Sequence, residues 1–297
     1  MKMMLIQIFL VFVLGTLPFS AEAQFGNFNL NKLIDTTKKL AEGTKDITEA
    51  EEISMGDGIA AMILGASPLH ADQNLQRYVN RVGRWVASQS SRPDLPWTFG
   101  VIDTPTINAF ALPGGKVFVS IGLVKRLNNE SELAGVLAHE IAHVMQRHQV
   151  KAIQSARTSS AVQGIAESEA SDRIARSGAG RNALTGALAN AAAGEAIDFV
   201  KNGAFLRPLD KALEFEADRI GATLAARAGY DPYGLVSAIQ ILSGLKSEDS
   251  GMSLLMSTHP TPNNRLIELE KFSATLDKYS SQPQVTDRFA AVMANVK

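Results

Sequence analysis

The sequence contains no cysteine. A disulfide framework and a thiolate metal site are both excluded, and any metal must be held by His, Asp or Glu. Histidine is itself scarce, with five in 297 residues. Charge of one sign is lacking too: the net charge is −1, which offers no basic surface for nucleic acid. Long hydrophobic runs are limited to one, Leu5 to Leu17. It follows Lys2, stops at Pro18 and precedes the small-x-small site Ala21-Glu22-Ala23. That pattern is a secretory signal over residues 1–23. The run is shorter than the roughly 20 residues of a spanning helix, so an uncleaved anchor is only the alternative. The chain is therefore expected to be exported, to the periplasm if the host is Gram-negative. With no second run, the mature chain from Gln24 is expected to have no spanning helix.

What is present is ordinary globular material, 45% hydrophobic and 20% charged, enough for a sizeable core. Residues 24–50 are polar with a weak pattern and read as a flexible lead-in to a domain over 51–297. Leu75, Val79, Val82 and Val86 recur at helical spacing after Asp72. Ser91 to Pro96 breaks that helix. Three strand-type runs follow: Trp97 to Ile102, Ile107 to Ala111 and Lys116 to Ser120. The last two flank the turn Leu112-Pro113-Gly114-Gly115, and Pro113 points to a sheet edge. A short helix should end at Asn128. Asn129, with Glu132 as capping-box partner, should open a helix running from about Glu130 past His148. Residues 155–205 are rich in Ala, Gly and Ser and read as an insertion, loosely helical or mobile, with a lid as the less favoured role. A further helix is expected from Pro208 to about Arg227, ending at Gly229. Asp231-Pro232 should restart a helix, and a last one should begin near Asn264.

The chemistry lies in His139-Glu140-Ile141-Ala142-His143. Two His at i and i+4 sit about 40° apart around a helix, so both rings face one side. One zinc ion can then reach both ring nitrogens, which it needs at about 2.0–2.1 Å. Glu140 lies about 100° round from His139, poorly placed as a ligand and well placed to deprotonate a water activated by the ion. A catalytic zinc keeps three protein ligands and one open position. The best third candidate lies in Glu214-Phe215-Glu216-Ala217-Asp218. Glu214 and Asp218 share a face and Glu216 points elsewhere, which favours Glu214 as ligand and Asp218 as the partner of a ligand's free N–H. His259 and Arg265 are candidates to stabilise an oxyanion. His148 falls about 180° round from His139 on a continuous helix, so it and His70 read as surface or capping residues.

Together these residues resemble the zinc metallopeptidase family that includes HtpX and the CAAX prenyl proteases, nearest to its soluble periplasmic BepA/LoiP-like members. The resemblance covers roughly residues 50–275. It rests on Asn108 to Gly115, on Leu137 to His143, on Glu214-x-x-x-Asp218, and on His259-Pro260 with Arg265. It implies an α+β, mainly helical, gluzincin-like fold with a small β-sheet. It implies one Zn2+ per subunit on His139, His143 and Glu214, with Glu140 catalytic. It also implies that Asn108, Ala109, Phe110 and Ala111 form the edge on which an extended polypeptide lies, and that the His259 loop can gate the metal. The lack of spanning helices argues against prenylated substrates, and no tetratricopeptide array is expected after the protease part. The expectation is a metalloendopeptidase acting on unfolded or misassembled envelope proteins. The alternative is a non-catalytic or self-inhibited metal-binding chaperone of the envelope.

Overall fold

The computed structural model describes residues 46–155, 158, 210–245 and 259–296. The signal segment, most of the lead-in, Pro208 and nearly all of the Ala/Gly/Ser-rich stretch lie outside the described residues. Within them the chain runs α1 (Glu49–Ala66), α2 (Gln73–Ala87), β1 (Thr98–Ile102), β2 (Ala109–Leu112), β3 (Lys116–Ser120), α3 (Ile121–Val124) and α4 (Glu130–Met145). It continues with α5 (Lys211–Arg227), α6 (Gly234–Ser243), α7 (Pro262–Glu270), α8 (Ser273–Leu276) and α9 (Thr286–Met293). This is an α+β fold, mainly helical, with one small sheet.

The Asp72 carboxylate accepts the amides of Asn74 and Leu75 and so starts α2. Its expected stripe, Leu75, Val79, Val82 and Val86, is buried and packs on β1. The strands order as β1–β3–β2, with β1 parallel and β2 antiparallel to β3. Gly114 and Gly115 turn the hairpin at φ 74° and 87°, values a residue without Cβ adopts freely. β2 is an edge strand of this sheet, as Pro113 suggests.

Helix α4 is the centre of the fold. Asn129 caps it by accepting the Glu132 amide at 2.9 Å. The Glu132 carboxylate returns to the Asn128 amide at 2.6 Å, one residue earlier than a capping box requires. From Glu130 to Val144 every residue of α4 is buried, against α5, α6, α2 and β2. Leu133, Leu137 and Ile141 are fully enclosed, each stabilising the fold by about 1.5–3 kcal/mol. Glu130 itself, at the first helical position, accepts from the Tyr78 and Tyr230 hydroxyls at 2.7 and 2.8 Å and from Arg288.

Three expectations need correction. Helix α4 does not run past His148. It ends at Met145, Arg147 takes a left-handed φ of 55°, and helix resumes over residues 148–155. Asp231-Pro232 does not open α6, which starts at Gly234. Asp231 makes the preceding turn instead, its side chain accepting the Tyr233 amide and its carbonyl the Gly234 amide. Order also begins inside the stretch read as lead-in. Ile47 is buried with Val150 and Ile153, and Thr48 and Glu51 form a capping box for α1. One turn on, Glu52 is buried and accepts from Arg92, from Arg147 and from the Gly114 amide. That carboxylate joins α1 to the hairpin turn and to the end of the α4 segment.

Candidate metal centre

The i, i+4 spacing on α4 brings Nε2 of His139 and Nε2 of His143 to 3.1 Å from each other. Helix α5 crosses α4 at Gly221, where a Cβ would lie 2.8 Å from both Cα and N of His139. Only a residue without a side chain allows that approach. It carries the Glu214 carboxylate to 3.6 Å from His139 Nε2 and 3.5 Å from His143 Nε2. His259 reaches the same carboxylate from the start of the 259–262 turn, Nδ1 to Oε2 2.6 Å. His139, His143, Glu214 and His259 thus each offer a ligand atom, all within 4.8 Å of one another. Glu214 is fully buried, and its Oε1 has no hydrogen-bond partner among the described residues. A buried carboxylate oxygen without a donor, 3.5 Å from the His143 Nε2, is costly unless a cation joins them. The nitrogen and oxygen donors are those zinc takes. The residues present therefore fit a metal ion.

The outer ring nitrogens are held as well. His139 Nδ1 lies 2.9 Å from Asp218 Oδ1. Asp218 is gripped by Arg265, whose Nε and Nη2 donate to its two oxygens at 2.9 and 2.5 Å. Glu214 and Asp218 thus both reach His139 from one face of α5, as their spacing suggests. On the other histidine, His143 Nδ1 lies 2.9 Å from His148 Nδ1. This corrects the reading of His148 as a surface residue: it is 1% exposed. The angular projection assumed a continuous helix, and the left-handed turn at Arg147 breaks it. No local signal marks that turn, since Arg147 is not a glycine. Glu216 reaches the site through His148, its Oε2 3.5 Å from His148 Nε2. Among the histidines only His70 stands apart, accepting the Asp72 amide at 3.3 Å beside the cap of α2.

Residues 73–273 match the description of Peptidase family M48. The chain belongs to this family. It is 34% identical over 219 residues to the Beta-barrel assembly-enhancing protease of Escherichia coli K12, covering 73% of this chain and 43% of that protein. It is 32% identical over 195 residues to the Mitochondrial metalloendopeptidase OMA1 of Schizosaccharomyces pombe, covering 66% and 52%. The chain thus spans about half or less of these relatives. The matched range holds every residue of the centre just described. Membership of an M48 peptidase family implies a metal, in agreement with the converging donors.

Charges in this M48 centre pull its groups in different directions. Burial and the Arg265 charge push His139 down, yet Asp218 and Glu214 outweigh both and lift its pKa to about 9. Burial, reinforced by His139, holds His143 well below the usual histidine range. For Glu214, burial is overcome by His259, His139 and His143, which keep it ionised far below ordinary carboxylates. Burial similarly opposes Asp218, and Arg265 outweighs it. Glu140 differs: burial pushes its carboxyl up, with the neighbouring cationic groups opposing. Two buried carboxylates on facing helices are thus driven in opposite directions, one to stay charged and one toward proton exchange.

Beside the centre, Val136, Ala238, Ile239 and Leu242 give a cleft an apolar wall, and His139, Glu140, His259 and Arg265 form its polar side. Ala109 of β2 lines it too. The neighbouring Asn108 is buried, and its Oδ1 has no partner among the described residues. Among the described residues no helix is long and apolar enough to cross a membrane.

Proposed function

We propose that this M48 chain is a zinc-dependent metalloendopeptidase, with one zinc ion per subunit on His139, His143 and Glu214. The reading is carried by one observation: two imidazole nitrogens and a buried carboxylate with one orphaned oxygen converge in a cleft that also presents Glu140. Zinc at this donor set would supply Lewis acidity, polarising a scissile carbonyl and making a water easier to deprotonate. Glu140 takes the proton from the attacking water and hands it to the leaving amine. Its raised pKa suits both transfers. Asp218 orients His139, and Arg265 orients Asp218 with both of its paired N–H groups. That commitment favours a positioning role for Arg265 over oxyanion binding.

The substrate is an extended polypeptide. Asn108, Ala109, Phe110 and Ala111 offer a sheet edge that main-chain hydrogen bonds can extend, and Ala109 lies at the cleft. Such pairing demands unfolded backbone, which fits unfolded or misassembled envelope proteins. The signal-like segment supports export, to the periplasm in a Gram-negative host. The printed name of one relative, a beta-barrel assembly-enhancing protease, points the same way. His259 acts as a gate: its 2.6 Å contact with Glu214 sets it among the donors, where it competes with a substrate carbonyl.

Casein digestion by residues 24–297 tests the reading. Cleavage should stop with a chelator and with Glu140→Gln, while Glu140→Gln keeps its zinc. Full activity in Glu140→Gln would overturn the mechanism. His259→Ala should raise activity; a loss would assign it a direct role instead. A metal-binding chaperone without turnover is the competing reading, and it predicts no cleavage at all.

A further inference from the structure

We propose that His148 is the positioning residue of His143, and that Glu216 fixes the tautomer of His148. The inference rests on His143 being a metal ligand. For His143 Nε2 to offer a lone pair, the ring proton must sit on Nδ1. The group facing that Nδ1 is His148 Nδ1, at 2.9 Å. One proton can lie between two nitrogens, so His148 accepts there and carries its own proton on Nε2. That Nε2 is buried without a hydrogen-bond partner among the described residues, and the Glu216 carboxylate lies 3.5 Å from it. An anion on that side favours the N–H over a bare lone pair. The proton order Glu216, His148, His143 is thereby set from the surface inward.

The two α4 histidines are then backed differently. His139 leans on an anion, Asp218, itself held by Arg265. His143 leans on a neutral ring. A residue that merely filled this fully enclosed space would be apolar. The chain instead takes a left-handed residue at Arg147 to aim an imidazole there. Arg147 is anchored in that geometry through Glu52 at 3.0 Å and the Ile47 carbonyl.

Zinc affinity, measured on the full chain by competition with a chromogenic chelator, tests this without using activity. His148→Phe keeps an aromatic of similar size and removes the acceptor. It should lower affinity about 10–100-fold and shift the visible absorption bands of the cobalt-substituted protein. His148→Gln, whose amide oxygen can accept the same N–H, should restore most of the affinity. Glu216→Ala should lose part of it and Glu216→Gln little. Parent-like affinity in His148→Phe, or an equal loss in His148→Gln, would overturn the proposal. If His148→Phe fails to fold, His148→Met takes its place. If neither folds, a His148→Gln that loses zinc as completely as His143→Ala overturns it, and one that retains zinc upholds it. His143→Ala separates the two layers of argument. If His143→Ala still binds zinc normally, the ligand reading itself has failed. If it loses zinc while His148→Phe does not, only the positioning role has.

Discussion

At the residue scale the centre is a set of paired constraints on ring orientation. Asp218 takes the N–H of His139 and simultaneously neutralises Arg265 in a buried pocket. Asp218→Ala therefore removes two things at once. Zinc affinity should fall about 10–100-fold, as expected when the partner of a ligand's N–H is lost. Stability should drop by about 3–5 kcal/mol, because a buried guanidinium loses its anion; chelator competition and urea unfolding of the metal-free chain read the two separately. Glu140 makes the opposite prediction. Glu140→Gln should cost about 10²–10⁴ in kcat with zinc content unchanged, measured by steady-state peptide cleavage and metal analysis. Much of this constellation was legible in the sequence, because helical spacing is rigid: i and i+4 must share a face wherever the helix lies. His148 was not, because its position depends on one backbone angle at Arg147.

At the scale of elements, the close crossing of α4 and α5 sets where Glu214 and Asp218 arrive. Gly221→Ala would drive a methyl group into the His139 backbone. The helices must part, costing about 1–3 kcal/mol, and both zinc affinity and activity should fall although no ligand has changed. Thermal unfolding with a zinc titration checks this. The start of α4 gives a pH prediction. Burial opposes ionisation of Glu130, yet hydrogen bonds from Arg288, Tyr78 and Tyr230 outweigh it and lower its pKa. A lowered folded pKa stabilises the fold above the unfolded value of about 4.3, and that contribution is lost as pH falls through the folded value. Arg288 is largely exposed, so solvent screens its share. Stability should therefore decline below about pH 4.3, and decline less steeply in Glu130→Gln, as followed by denaturant unfolding at several pH values. The elements recognised in advance are those with local signals: the Asp72 and Asn129 caps, the stripe of α2, the glycine turn. Helix α1 was missed because its first half is acidic and its second half apolar, leaving no stripe along one face. Its capping box, Thr48 with Glu51, was the available clue. Helix α9 is short and buries chiefly Phe289, too little periodicity to read.

At the scale of the whole molecule, the centre gathers donors from α4, α5 and the turn before α7, which are far apart in the chain. A ligand that joins them binds the folded state only. Zinc at 100 times its dissociation constant should raise stability by about 2.7 kcal/mol, visible as a higher unfolding temperature that a chelator reverses. The parallel pairing of β1 with β3 was not anticipated, because pairing partners across an intervening strand leave no trace in local sequence.

Glu52 has a practical consequence for anyone trimming this protein. The family match begins at residue 73, so a chain cut back to Gln73 would keep the whole metal centre and discard α1. Arg92, Arg147 and the Gly114 amide would lose their common acceptor. The brace that aims residue 148 and steadies the hairpin would go with it. The smallest stable chain is therefore longer than residues 73–273: α1 serves as an outrigger, outside that match and needed to keep the centre in trim.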